Sequence, residues 1–225
     1  LNVGIGLMHS VAWMPRLLPL FHEHYPDVSV RLIEQGDELL LKALQSNDAD
    51  IIIGGMPVST QDVTVTLALE QLLLIVPRAF NIIPSWAYTG NSYENPYEID
   101  PKQLQGLPLI LPSTVNDIGG ITNQVLEHFD IRPKFVTTVD SMQTAAMLVA
   151  QDMGYLFTSP IFLKAQMAEL APNIVYCMAR GIPDSRKIVA VYHSDTYKEE
   201  MISQFLKLLR VVMFKDQPGV FPLDG

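Results

Sequence analysis

Apolar positions along this chain switch between two periods, a strand-like spacing of two and a helix-like spacing of three to four. Val3 to Ile5 form a short apolar strand. Beyond it Trp13, Met14, Leu17, Leu18, Phe21 and Tyr25 recur at three- and four-residue steps, a helix that Ser10 is placed to cap. Pro15 and Pro19 fall inside it. An interior proline costs about 3 kcal/mol, so the pattern predicts either irregular first turns or a bend near Pro19. Val28, Val30 and Leu32 alternate as a second strand, and Asp37 can cap a helix carrying Leu40, Leu41 and Leu44 on one side. Asp50 to Ile53 is a third strand, ended by Gly54-Gly55. Antiparallel strands need only a few connecting residues, whereas these are separated by helix-length segments, so a parallel sheet with right-handed crossovers is expected.

Val63 to Leu67 and Leu72 to Val76 supply two further strands, and Pro77 marks a change of texture where a boundary is expected. Residues 80 to 103 have no regular period and hold Trp86, Tyr88, Tyr93 and Tyr97 among several prolines, glycines and asparagines. They read as an aromatic-stapled surface excursion, with a functional loop as the alternative. A second strand-and-helix series then begins with Pro108 to Leu111 and a helix burying Ile118, Ile121, Val125, Leu126 and Phe129. Phe135 to Val139 is its next strand, Ser141 caps a helix with Met142, Ala145, Ala146 and Val149, and Gly154 turns the chain into strand Tyr155 to Thr158. Ser159-Pro160 has the form of a helix start, cap followed by proline at the first helical position. After strand Ile174 to Cys177, Arg180 to Asp184 reads as a second connection. Strand Lys187 to Tyr192 and a long amphipathic helix with Met201, Ile202, Phe205, Leu206, Leu209 and Val212 close the series.

Composition narrows the function classes. With 225 residues, 48% hydrophobic and 17% charged, the chain can bury one large core or two modest ones. A net charge of -9 opposes contact with phosphate backbones, so this chain alone is not expected to bind DNA. No apolar run approaches the roughly 18 residues of a membrane span, and no signal-peptide pattern opens the chain. The single Cys177 cannot form an internal disulfide and lies in an apolar strand, where it reads as core rather than nucleophile; a cytoplasmic setting is expected. No Walker lysine loop, zinc-spaced cysteine pair or G-x-S-x-G elbow occurs. His22-Glu23-His24 point to different sides of a helix and read as a solvated face, so no metal, no cofactor and no enzyme activity are expected.

The ordered set Gly4, Pro15, Leu18, Phe21, Tyr25-Pro26, Glu34, Leu44 and Asp50 through Gly54 resembles the opening of the effector-binding domain of LysR-type transcriptional regulators. The resemblance continues through Glu70 to Pro77, Leu104 to Ser113, Val139 to Pro160 and Lys187 to Val212. It implies an α/β fold of the type 2 periplasmic-binding-protein kind, two Rossmann-like subdomains joined by two crossover segments with a small-molecule cleft between them. Residues 1–77 with 184–225 would form subdomain I and residues 78–183 subdomain II. It also implies an N-terminal winged helix-turn-helix and a linker helix in the whole regulator, outside this stretch, through which alone DNA would be bound. Its implied partners are a small organic acid, amino acid or related metabolite, and further copies of itself in a homodimer or homotetramer. The first helix near Trp13 to Phe21 and the second strand near Val28 to Leu32 would be the interface, although their apolar content equally fits a core. An extracytoplasmic solute-binding protein of a transporter is the alternative on the same fold.

Open α/β sheets bind ligands beyond the carboxyl ends of their strands, where helix N-termini present N–H groups. That rule selects the loops at Leu7 to Ser10, Gln35 to Asp37, Gly54 to Pro57, Pro112 to Asp117 and Thr158 to Pro160. The resemblance places Met8, Asp37, Gly55, Ser113 and Thr114 where family members often line the effector cleft, and the loop rule adds His9, Ser10, Met56, Asn116, Thr158 and Ser159. Each also has a structural role open to it: Ser10, Asp37 and Ser159 as helix caps, Met8 as core, His9 as an exposed loop imidazole, Gly55 as a turn residue. Relatives sometimes place an arginine near the glycine pair; Gly55 holds that position here and Asp37 adds negative charge, which leaves a simple dicarboxylate less assured. His9 would strengthen anion binding as pH falls.

Overall fold

The computed structural model describes residues 1–55, 62–113, 117–163, 167–183, 185–215 and 219–223. They divide into two compact units, Leu1–Glu70 with Arg186–Gly225, and Gln71–Ser185.

Unit 1 grows from β1 (Asn2–Ile5), which pairs in parallel with β2 (Arg31–Glu34) on one side and β3 (Ile51–Gly54) on the other. All four residues of β3 are buried, as the continuous apolar run of a central strand requires. Helix α1 (Leu7–His24) joins β1 to β2, and α2 (Asp37–Gln45) joins β2 to β3. The strand β4 (Val63–Gln71) follows, and the returning chain adds β11 (Ser185–Tyr192), α7 (Glu199–Phe214) and β12 (Val220–Phe221), giving the sheet order β12-β4-β11-β3-β1-β2. Parallel pairing holds for the first three strands, while β11 runs antiparallel to β3 and β12 antiparallel to β4. The pair Val220–Phe221 was too short to show a period.

Helix α1 begins four residues earlier than a cap at Ser10 predicts. Gly6 is its N-cap and Ser10 lies inside the first turn, buried, so Ser10 does not cap it. Both prolines are accommodated in a helix that continues to His24. Pro15 and Pro19 lie on its exposed side, where water can satisfy the carbonyls that lose an amide partner. The opposite stripe of Trp13, Met14, Leu17 and Phe21 is buried, with Phe21 edge-on to Phe205 of α7 at 5.3 Å between centroids. That stripe is core, so the apolar side chains it was expected to offer an interface are already spent; Leu7 and Val11 are the large apolar residues α1 leaves exposed. Leu40 and Leu44 of α2 pack with Ala49, Ile52, Val189 and Val191 on the sheet.

Unit 2 contains β5 (Leu73–Pro77), β6 (Tyr97–Ile99), β7 (Leu109–Pro112), α3 (Asp117–His128), β8 (Val136–Val139), α4 (Met142–Val149), β9 (Leu156–Thr158), α5 (Pro160–Leu163), α6 (Met167–Leu170) and β10 (Ile174–Ala179). One sheet has the order β6-β10-β5-β9, and the parallel pair β7-β8 joins it through a bridge between Leu109 and Tyr155. The expected division after Pro77 lies instead between Glu70 and Gln71, because Leu73–Pro77 is hydrogen-bonded antiparallel to β10 and β9 and so belongs to this sheet. On the return the division lies between Ser185 and Arg186 rather than at 184. The irregular stretch from 80 to 103 is pinned at several points. Trp86 meets Tyr97 edge-on at 5.9 Å, Asn91 bonds both the N–H and the carbonyl of Tyr176, and β6 pairs in parallel with β10. Ser141 caps α4 by accepting from the Thr144 N–H.

Close approach in unit 1 gives a direct test. A Cβ on Gly4 would stand 2.8 Å from Ile52 Cγ2 and 2.9 Å from Leu40 Cδ2, inside contact distance. Gly4→Ala is expected to lower unfolding free energy by about 1–3 kcal/mol, the range for overpacking, as measured by urea denaturation.

Candidate functional site

In-register pairing brings the ends of the first three strands to one edge of the unit 1 sheet. Ile5 stands opposite Glu34 of β2 and Ile53 of β3, so Gly6, Gln35 and Gly54 leave the sheet side by side. Met8, His9 and Ser10 therefore lie in the first turn of α1 beside Asp37, which opens α2, and beside Gly54-Gly55. The N-cap of α2 is Gly36, and Asp37 is its first helical residue rather than its cap. Asp37 and Glu38 place negative charge in the first turn of α2, where it complements the helix dipole, while α1 has no acid in its first turn and no side-chain cap. The first turn of α1 thus carries no acid of its own, and the Glu70 carboxylate that meets it through His9 is paired with Arg186.

His9 is buried rather than exposed. Its Nε2 lies 3.0 Å from Glu70 Oε1, and its ring stacks on Trp13 at 4.6 Å. Glu70 Oε2 accepts from Arg186 Nε at 2.6 Å. Burial works to raise the Glu70 pKa, but the Arg186 guanidinium and the His9 hydrogen bond outweigh it and hold the carboxyl at about 2. Neither Glu70 nor Arg186 was singled out as a site residue from the sequence. The available signal was an acid at the end of the apolar run Leu67-Ala68-Leu69, where an unpartnered carboxylate would be costly.

Unit 2 presents its own group at one sheet edge. Pro112 of β7 pairs with Val139 of β8, and the Leu109–Tyr155 bridge aligns β9 in parallel, so Ser113 and the pair Thr158 and Ser159 emerge at the same end. The Ser113 N–H donates to Val139 O at 2.8 Å, and Ser113 is half-buried. A Cβ on Gly119 would come within 2.5 Å of Pro112 O, so only glycine lets the start of α3 approach this strand end so closely. Ser159 accepts from the Ile161 N–H with Pro160 in the first helical position, as its sequence form predicts, and both Thr158 and Ser159 are fully buried. Met56, Thr114 and Asn116 lie outside the described residues. Cys177 is buried in β10, and burial pushes its thiol up to about 12, far from a reactive thiolate.

At the opposite edge of unit 1, His193 follows β11. Its Nδ1 donates to Asp62 at 2.7 Å and its Nε2 to Leu44 O at 2.9 Å. Both partners are acceptors, an arrangement that favours the protonated ring; the Leu44 carbonyl first, then Asp62, raises its pKa.

With this geometry in place, comparison with known proteins identifies the class. The profile of the LysR substrate binding domain family matches residues 1–213, and the chain belongs to that family. The chain is 26% identical over 213 residues to a probable RuBisCO transcriptional regulator of Porphyra purpurea, covering 91% of this chain and 63% of that protein. It is 24% identical over 180 residues to a RuBisCO operon transcriptional regulator of Acidithiobacillus ferrooxidans, covering 80% of this chain and 54% of that protein. The chain therefore spans between about half and two thirds of those relatives. Among solved structures, the regulatory domain of Neisseria meningitidis MetR has a TM-score of 0.75 at 16% identity, with 100% of this chain and 99% of that one covered. The Synechocystis PCC6803 CcmR regulatory domain in complex with 2-PG has a TM-score of 0.76 at 18% identity, covering 96% and 98%. The fold is that of LysR regulatory domains, the type 2 periplasmic-binding-protein-like fold. No helix among the described residues is long and apolar enough to cross a membrane.

Two pH dependences of stability follow, with opposite signs. Glu70 has a folded pKa below its ordinary 4.5, so its contribution is complete above that value and is lost as pH falls toward about 2. Removing one partner of such a buried ion pair costs about 3–5 kcal/mol, so Glu70→Ala is expected to lose that much at neutral pH in urea titrations. His193 has a folded pKa raised above 6.5, so its contribution is present below that value and is lost as pH rises through the folded pKa. Thermal melts from about pH 6 to about pH 9 should show stability falling in the native chain and a flatter profile in His193→Gln.

Proposed function

We propose that this domain is the effector-sensing part of a LysR-type transcriptional regulator. It takes a small anionic metabolite at the loops beyond the carboxyl ends of its parallel strands. The observation that carries the reading is the edge of unit 1, where α1 begins at Gly6 with no acid of its own in its first turn, beside Gly54-Gly55, while the nearby Glu70 carboxylate is paired with Arg186. A helix N-terminus offers orphan N–H donors and a partial positive charge, the two features that hold a carboxylate or phosphate. Met8, Asp37 and Gly55 provide the walls of that position, and in unit 2 the half-buried Ser113 provides a hydroxyl at its own sheet edge, while the buried Ser10, Thr158 and Ser159 shape these loops rather than line them. Met56, Thr114 and Asn116 complete the set by their place in the sequence.

Binding acts by shifting populations: a ligand favours whichever conformation binds it better, to the extent of its differential affinity. In the whole regulator that shift alters how subunits assemble and so how DNA-binding domains are spaced. Subunits assemble as a homodimer or homotetramer, in which β2 is the candidate strand, since it ends its sheet with one edge unpaired among the described residues. The setting is the cytoplasm, beside the DNA.

Two measurements test the reading. The first probe is 2-PG, the ligand named for the Synechocystis domain. Isothermal titration calorimetry should detect its binding, and Ser113→Ala should weaken it about tenfold or more, since a hydrogen bond to a charged group contributes about 1.5–3 kcal/mol. Equal affinity in the variant would remove Ser113 from the site. Light scattering should give the mass of at least two chains; a monomer at micromolar concentration would count against assembly through this domain.

A further inference from the structure

Three side chains far apart in sequence meet inside unit 1 where the chain leaves it and returns. Glu70 is the last residue before the departure and Arg186 the first after the return, and their strands, β4 and β11, are neighbours in the sheet. The Glu70 carboxylate is fully buried, and its oxygens are divided between two elements: Oε1 faces His9 of α1, and Oε2 receives the Arg186 guanidinium. His9 is held in two directions. The buried Trp13 ring fixes its plane at 20° from parallel, and Glu70 fixes its edge.

Apolar contacts tolerate small sliding because they have no preferred direction, but a hydrogen-bonded ionic group does not. In a fully buried site, a carboxylate that loses one partner keeps its desolvation cost and loses its compensation. The first turn of α1 therefore cannot withdraw from β4 and β11 without breaking the group that makes the buried carboxylate tolerable.

We propose that Glu70 is a positioning residue through which the first turn of α1 and the two strands carrying the chain out of and back into unit 1 move as one body, so that a ligand seated on that turn acts on both strands. The inference rests on the α1 turn being part of the effector site. Coupling of this kind is an energy shared between named groups, and it is measured by perturbing one and observing another.

Hydrogen exchange of the 225-residue chain, followed by mass spectrometry, tests the tie without ligand. His9→Phe keeps a ring against Trp13 while removing the contact to Glu70, and Arg186→Lys keeps the charge while losing the directional fork. Each is expected to speed exchange about tenfold both in residues 10–14 and in residues 68–72 and 186–189, with α7 changed less than about twofold. An effect of His9→Phe confined to α1, or one spread evenly over unit 1 including α7, would overturn the proposal. A second arm uses 2-PG as the probe. In the native chain its protection should extend from residues 10–14 to 186–189, and in Glu70→Gln it should stop at α1. Protection confined to residues 10–14 in the native chain would refute the tie. No protection there would refute the seat on the α1 turn, while the ligand-free exchange still decides the tie.

Discussion

Parallel, in-register pairing of β1 with β2 and β3 is the constraint on which the rest of unit 1 depends. Parallel strands must be joined by crossovers, here α1 and α2, and must all end at the same edge. That edge consequently collects two helix N-termini and the glycine pair after β3. The arrangement needs no special residue at each loop. It follows from the connection rule, and the residues then decide the sign of charge: acids in the first turn of α2 and none in that of α1.

The strands β4 and β11 are fastened at both ends by acid–base pairs. Asp62, just before β4, holds His193, just after β11, while Glu70 near the end of β4 holds Arg186 near the start of β11. Each fastening reaches one further element, α2 through the Leu44 carbonyl and α1 through His9. The two differ in character. The Glu70 group is buried and its energy is governed by desolvation, so it is costly to break and insensitive to salt. The His193 group is partly exposed, and its strength depends on the proton it carries. A strand pair that carries the chain between two units thus has one end set by burial and the other by protonation.

The order of elements was legible in the sequence because it rests on periodicity, which is local. The helix through Phe21, the strand through Ile52 and the cap at Ser141 are each encoded within a few residues of themselves. Prolines 15 and 19 misled in a definite way: they disfavour a helix interior, yet tertiary burial of Trp13, Met14, Leu17 and Phe21 stabilises the helix beyond that local cost, and their own side faces water. Ser10 misled for the same reason, since the helix takes its start from Gly6 and the strand end rather than from the best local cap.

What the sequence by itself determined was the alternation of strand and helix, the positions of the loops and the family resemblance that the profile match establishes. What only the tertiary structure decided was which charged residues meet. His9 and Glu70 are 61 positions apart and Glu70 and Arg186 are 116, and no local period encodes such a separation. Their contact depends on the sheet order, which places β4 beside β11 and turns α1 over the end of that pair. The physical reason is that backbone periodicity is fixed by nearest neighbours, whereas a buried charge finds its partners only after the chain has closed around it.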